Sequence, residues 1–212
     1  MNARAIPLLL FAKAPIAGQV KTRLQPQCSA QESAEVAQIL LRESLQRAEG
    51  DWPGEVKLCV WPAAPNQFLS EVAAQIGVTI VAQTTGDLGM KMHNAMQSHG
   101  YPCAVMGCDV PEVGRQDLVQ AHAALQQGRD VIGPTADGGY YLLGLSSSAA
   151  PIFEDVAWGT ADVLEQTLQR FKALDRRPCE LTPRNDIDCW EDLVASQVPA
   201  LQDWLKRRRP PA

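Results

Sequence analysis

Three cations, Lys13, Lys21 and Arg23, crowd a short stretch that follows directly on an apolar run. A phosphate chain needs several fixed positive charges, because its own charge must be neutralised while a leaving group departs. Gly18 lies among them and permits a turn with positive φ, which can aim backbone N–H groups at one anion. The stretch is not a P-loop, because the two glycine positions of that motif hold Pro15 and Val20 here. The competing reading is a solvated, lysine-rich loop.

Carboxylates follow at three places. An apolar strand running into Gly107-Cys108-Asp109 puts an acid at the strand's C-terminal tip, with Pro111 stiffening the turn behind it. Hard oxygen donors suit Mg²⁺, which takes one or two carboxylates and completes its shell with phosphates and water. Asp109 is equally the residue type that caps a turn or helix. Late in the chain, Asp186 and Asp188 share one face of an extended segment, with Ile187 pointing the other way. They offer a second acidic group for the same ion, or a cap for a helix starting at Trp190. Asp137, followed by Gly138-Gly139, sets a carboxylate suited to a sugar hydroxyl or acceptor beside backbone that can pass close to a ligand. Asp-Gly is also a hairpin turn. Gly86, Asp87, Gly89 and Lys91 surround a helix start that lies either near the ligand or in an ordinary surface turn. His93, His99 and His122 show no metal spacing and read as surface residues.

Short apolar runs alternate with amphipathic stretches between these segments, which predicts βα units and a mainly parallel sheet. Strands are expected over 5–12, 56–61, 78–82, 103–107, 130–134, 140–145 and near 179–181. Helices are expected from a cap at Ser29 or Ser33 to about 48, then over 66–76, 86–98, 114–127, 160–174, 190–194 and 199–207, with a loop over 13–26. Ligands of open α/β sheets bind beyond the carboxyl ends of the strands, where the cation loop and Asp109 both fall. One domain over 1–205 accounts for the pattern, leaving 206–212 as a frayed, solvated basic tail.

Composition excludes several classes. Lys and Arg total 19 against 24 Asp and Glu, a net charge of −5, so no basic field recruits nucleic acid. No stretch approaches the roughly 18 apolar residues of a membrane span. Arg4 and the run after it resemble a leader peptide, but a first buried strand explains them better. Six cysteines form no CxxC pair, which fits reduced thiols in a cytoplasmic protein, Cys59 and Cys103 lying in buried strands.

In order along the chain, FAKAPIAGQVKTRL, GDLGMKM, GCDVP, GPTADGGYYLLGL, FEDVAWGTADVLEQT and NDIDCWEDL resemble a bacterial family of glycosyltransferase-A-like proteins. That family is grouped with the nucleotide-diphospho-sugar transferases and is similar to the molybdenum cofactor and phospholactate guanylyltransferases. The resemblance implies a Rossmann-like three-layer α/β/α fold around a mixed, mainly parallel sheet. It implies that Lys13, Lys21 and Arg23 contact phosphates, that Asp109 is the metal aspartate of a G-x-D pattern, and that Asp188 is the second metal ligand. Gly18, Asp87, Lys91, Asp137, Gly138 and Gly139 complete the expected ligand cradle.

The chain departs from its relatives in places. Cys189-Trp190 replaces the Thr-Pro that follows the late aspartate in sugar-nucleotide synthetases, and Lys91 stands where relatives carry arginine. The G-G-x-S loop of characterised guanylyltransferases is absent, so neither base preference nor acceptor carries over. The expectation is a Mg²⁺- or Mn²⁺-dependent transferase moving a nucleotidyl group from a nucleoside triphosphate to a small phosphorylated acceptor. Glycosyl transfer from a nucleotide sugar is the alternative, and a nucleotide-binding protein without turnover is a third.

Overall fold

In the computed structural model, which describes residues 5–25, 27–63 and 66–208, the first strand β1 (Leu8–Lys13) is buried on both faces. Leu8, Leu10 and Ala12 enter one apolar cluster, whereas Leu9 and Phe11 enter another across the sheet. A strand buried on both sides reads as a continuous apolar run, which is why this one is visible in the sequence. It begins at Leu8 rather than at residue 5, because pairing with β2 (Val56–Trp61) starts there.

The sheet has seven strands. β1 is flanked by β2 and by β4 (Cys103–Gly107), both parallel to it, and β3 (Thr79–Ala82) lies parallel beyond β2. On the other side β6 (Tyr140–Leu145) runs antiparallel between β4 and β5 (Val131–Pro134), and the short β7 (Cys179–Glu180) pairs parallel with β5. The order is therefore β3-β2-β1-β4-β6-β5-β7. The chain leaves β1 in one direction and returns to its other side at β4. That reversal opens a crevice at the carboxyl ends of β1 and β4.

Helices cover both faces. Leu41 and Leu45 of α1 (Ala30–Asp51), Leu69 and Val72 of α2 (Gln67–Ile76), and Leu118, Ala121 and Leu125 of α4 (Arg115–Gln126) pack with the Leu8 face. Met92 and Met96 of α3 (Leu88–His99) and Phe171 of α5 (Val163–Ala173) pack with the Phe11 face. Ser29 caps α1 in a reciprocal box with Glu32, an arrangement that stabilises a helix start by about 1 kcal/mol. Ser33, the other cap candidate, is buried in the first turn. α5 starts at Val163 rather than Thr160, since the Thr160 hydroxyl donates to Ala157 O and accepts from Asp162 N in a separate turn.

A third apolar cluster joins distant parts of the chain. Leu24, at the end of a 3₁₀ turn (Thr22–Leu24) inside the expected loop, packs with Val36 and Leu40 of α1. The same cluster takes Ile187, Leu193 of α6 (Trp190–Ala195), and Leu201 and Trp204 of α7 (Pro199–Arg207). Burying Ile187 alone is worth roughly 1.5–3 kcal/mol. This cluster ties the cation loop to the late acidic segment.

Two expectations need correction. His122 is buried, its ring edge-on to Trp52 at 5.1 Å, because it lies on the inward face of α4; burial lowers its pKa. The basic end is not wholly solvated. Arg208 bonds Glu32 at 2.7 Å and lies over the Trp190 ring, whereas residues 209–212 fall outside the described residues.

Candidate active site

Lys21 is the centre of the crevice. Its side chain is 6% exposed, and its Nζ lies 2.9 Å from Asp109 Oδ1 and 3.8 Å from Asp188 Oδ1. The same ammonium donates to Ile187 O at 2.6 Å. Burial works against its charge, but the Asp109 carboxylate, aided by Cys108 and Asp188, outweighs it and raises the pKa above the ordinary lysine value. Lys21 adopts left-handed backbone angles (φ 46°, ψ 41°), a conformation that costs a non-glycine residue about 1 kcal/mol or more. Arg23 NH1 donates to Asp188 Oδ2 at 2.6 Å.

Both acids are held by their backbones. The N–H of Ile187 donates to Asp109 O at 2.9 Å. From α1, the Ser44 hydroxyl donates to Cys108 O, and Arg47 donates to Pro111 O and Val113 O, clamping the turn after β4. Asp188 and Cys189 donate their N–H groups to Asp192 Oδ2 at 3.0 and 2.8 Å, fixing the start of α6. Burial opposes the Asp192 charge, yet these donors lower its pKa overall. The replacement of Thr-Pro by Cys189-Trp190 therefore leaves Asp188 aimed at the crevice.

Two cavities meet at this centre. One, of about 540 Å³, is lined by Lys13, Lys21, Arg23, Lys91, Asp109 and Asp188, with Trp61, Gln83 and Trp158 as further walls. The other, of about 750 Å³, is lined by Arg23, Arg47, Asp137, Asn185, Asp186 and Asp188. Arg23 and Asp188 belong to both. In the second cavity burial, and then the Asp137 charge, raise the Asp186 pKa.

Other predicted residues have quieter places. Gly18 takes φ +80° in its turn and is not part of the first cavity's wall, which takes in Lys13 before it and resumes at Gln19. Asp87 caps α3, accepting from Met90 N at 2.8 Å. Asp137 accepts from Gly139 N while lining the second cavity, so the hairpin-turn and cavity roles coexist. Gly138, at φ +90°, is required by its own chain: a Cβ there would lie 2.0 Å from Ala161 O. Trp61, Gln83, Trp158 and Arg47 were not expected, whereas Asp186, expected beside Asp188 as an acid for the same ion, lines the second cavity. Trp61 and Gln83 stand at the tips of β2 and β3, and that position was their only available signal.

A divalent ion fits this donor set. Three hard oxygens, from Asp109, Asp188 and Ile187, already converge on one ammonium. Among the described residues no group of three or more His, Cys, Asp or Glu forms a complete metal cage. That is compatible with an ion that borrows substrate phosphates and water. No described helix is long and apolar enough to cross a membrane.

Comparison with known structures agrees with the fold. A Desulfovibrio desulfuricans G20 protein, assigned by name to the nucleotide-diphospho-sugar transferases, is 27% identical, with 96% of this chain and 95% of that one covered and a TM-score of 0.84. The 4-diphosphocytidyl-2C-methyl-D-erythritol synthase of Anaerococcus prevotii DSM 20548 shares the fold at 11% identity, with 96% and 97% covered and a TM-score of 0.58. So does the Mycobacterium tuberculosis glucosyl-3-phosphoglycerate synthase, solved with Mn²⁺, uridine diphosphate and glucosyl-3-phosphoglycerate, at 10% identity, 96% and 79% covered, and a TM-score of 0.52. No functionally curated protein matches the chain in sequence. The likeness to the Desulfovibrio protein extends over nearly the whole of both chains. Residues 44–160, which hold Lys91, Asp109 and the Asp137 turn, match the family described as uncharacterized protein conserved in bacteria (DUF2064), and the chain belongs to that family.

Proposed function

We propose that the chain catalyses nucleotidyl transfer from a nucleoside triphosphate to a small phosphorylated acceptor. The observation that carries this reading is the convergence of Lys21, Asp109 and Asp188 between two cavities, one of them walled by four cations. The triphosphate enters the first cavity. There Lys13 and Lys91, which have no carboxylate ion pair among the described residues, meet its outer phosphates. Lys21 and Arg23 sit against the two carboxylates, within the same cavity wall.

The acceptor lies in the second cavity, against Arg23 and Arg47. Its phosphate oxygen forms a bond to the α-phosphorus while the bond to the bridging β-phosphate oxygen breaks, and pyrophosphate leaves with the electron pair. The chain's contribution is positioning and electrostatics, with no protein nucleophile. Asp109 and Asp188 would hold Mg²⁺ or Mn²⁺, which when bound neutralises phosphate charge.

Glycosyl transfer from a nucleotide sugar is the second reading. It is favoured by the acidic pair Asp137 and Asp186 in the second cavity, which suits a hydroxyl acceptor. Product analysis separates them: pyrophosphate release supports nucleotidyl transfer, and release of a free nucleoside diphosphate supports glycosyl transfer.

A further inference from the structure

The cations of the first cavity are held in two different ways. Lys21 and Arg23 are each paired with carboxylates. Lys91 is held by an aromatic face instead, its Nζ 4.2 Å from the centroid of the Trp61 ring. The fold imposes this arrangement. Trp61 is the register partner of Lys13 on neighbouring parallel strands, so both side chains leave the same face of the sheet. α3 packs on that face through Met92 and Met96, which brings Lys91 over the ring beside Lys13. Burial first, and then the Lys13 charge, lower the Lys91 pKa against the opposing charge of Asp87, with which Lys91 forms no salt bridge among the described residues. A π face attracts and orients an ammonium without neutralising it, as a carboxylate would. The two lysines therefore remain available to a polyanion.

We infer that Trp61 is a positioning residue that acts through Lys91, holding a second unpaired ammonium beside Lys13 for the outer phosphates of the donor. This rests on the reading of the first cavity as the phosphate site. The test is a double-mutant cycle read by calorimetric titration with inorganic pyrophosphate, folding of each variant being checked by circular dichroism. Trp61→Leu should weaken binding about 3- to 10-fold, and Trp61→Phe, which keeps a π face, by about 2-fold or less. In a Lys91→Met background, Trp61→Leu should change nothing further. Should Trp61→Leu fail to fold, Trp61→Met, whose unbranched side chain adapts to irregular gaps, takes its place in the cycle. An equal loss in both backgrounds would overturn the inference while leaving the phosphate site intact, because Trp61 would then act as a wall of the cavity. Absence of pyrophosphate binding by the wild-type protein would instead overturn the phosphate site, and the role of Trp61 with it.

Discussion

The backbone N–H of Ile187 donates to the carbonyl of Asp109 at 2.9 Å, joining the turn after β4 to a segment near the end of the chain. Ile187 is buried under the 3₁₀ turn and α1, so its neighbour Asp188 is directed outward, toward Lys21. The acid pair is thus set by packing and one backbone bond rather than by side-chain attraction alone.

Asp109→Asn removes the charge that faces Lys21 and one of two acids suited to a divalent ion. Product formation should fall on the order of 10²-fold or more, measured as Mg²⁺-dependent release of pyrophosphate. The variant should keep its far-UV dichroism, since Asp109 is half-exposed and its backbone bonds survive.

Asp137→Asn keeps the oxygen that accepts from Gly139 N, so the turn persists while the second cavity loses a negative charge. The KM for the acceptor should change by about 10-fold, with the KM for the nucleotide unaffected. Equal effects on both would contradict the division of the crevice into donor and acceptor sides.

Gly138→Ala combines a positive φ with a Cβ 2.0 Å from Ala161 O. Neither can relax without moving the segment before α5, so a loss of about 2 kcal/mol or more is expected in urea unfolding. Gly18→Ala, where a Cβ meets nothing within 4 Å, should cost only the conformational part, about 1 kcal/mol.

Glu32 has its pKa lowered first by the Ser29 N–H and then by Arg208. Its contribution to stability is therefore complete above the ordinary glutamate value of 4.5 and is lost as pH falls through the lowered value. The melting-temperature difference between wild type and Glu32→Ala should be constant at neutral pH and disappear on acidification below about pH 4.

Much of this was legible in the sequence, for reasons that particular residues show. Leu8 to Ala12 and Cys103 to Gly107 are uninterrupted apolar runs because both faces of each strand are covered, and Asn66 and Asp87 sit where helix caps belong. Asp109 was visible because it ends such a run. Residues whose roles depend on distant partners were not. Nothing local distinguishes Trp61 from a core tryptophan, since its meaning comes from Lys91 on α3. Arg208 looked like tail until Glu32 and Trp190 were seen beneath it. The pair of half-buried Arg184 and buried Asp117, bonded through both carboxylate oxygens, likewise joins segments with no sequence relation.

The central claim is that Asp109 and Asp188 serve one nucleotide-and-metal site. Its most direct test is the thermal shift of wild type, Asp109→Asn and Asp188→Asn with each nucleoside triphosphate, with and without Mg²⁺ or Mn²⁺. Stabilisation of the wild type should need nucleotide and divalent ion together and should be lost in both variants. A shift that survives both substitutions, or that is lost in one and unchanged in the other, would contradict the claim.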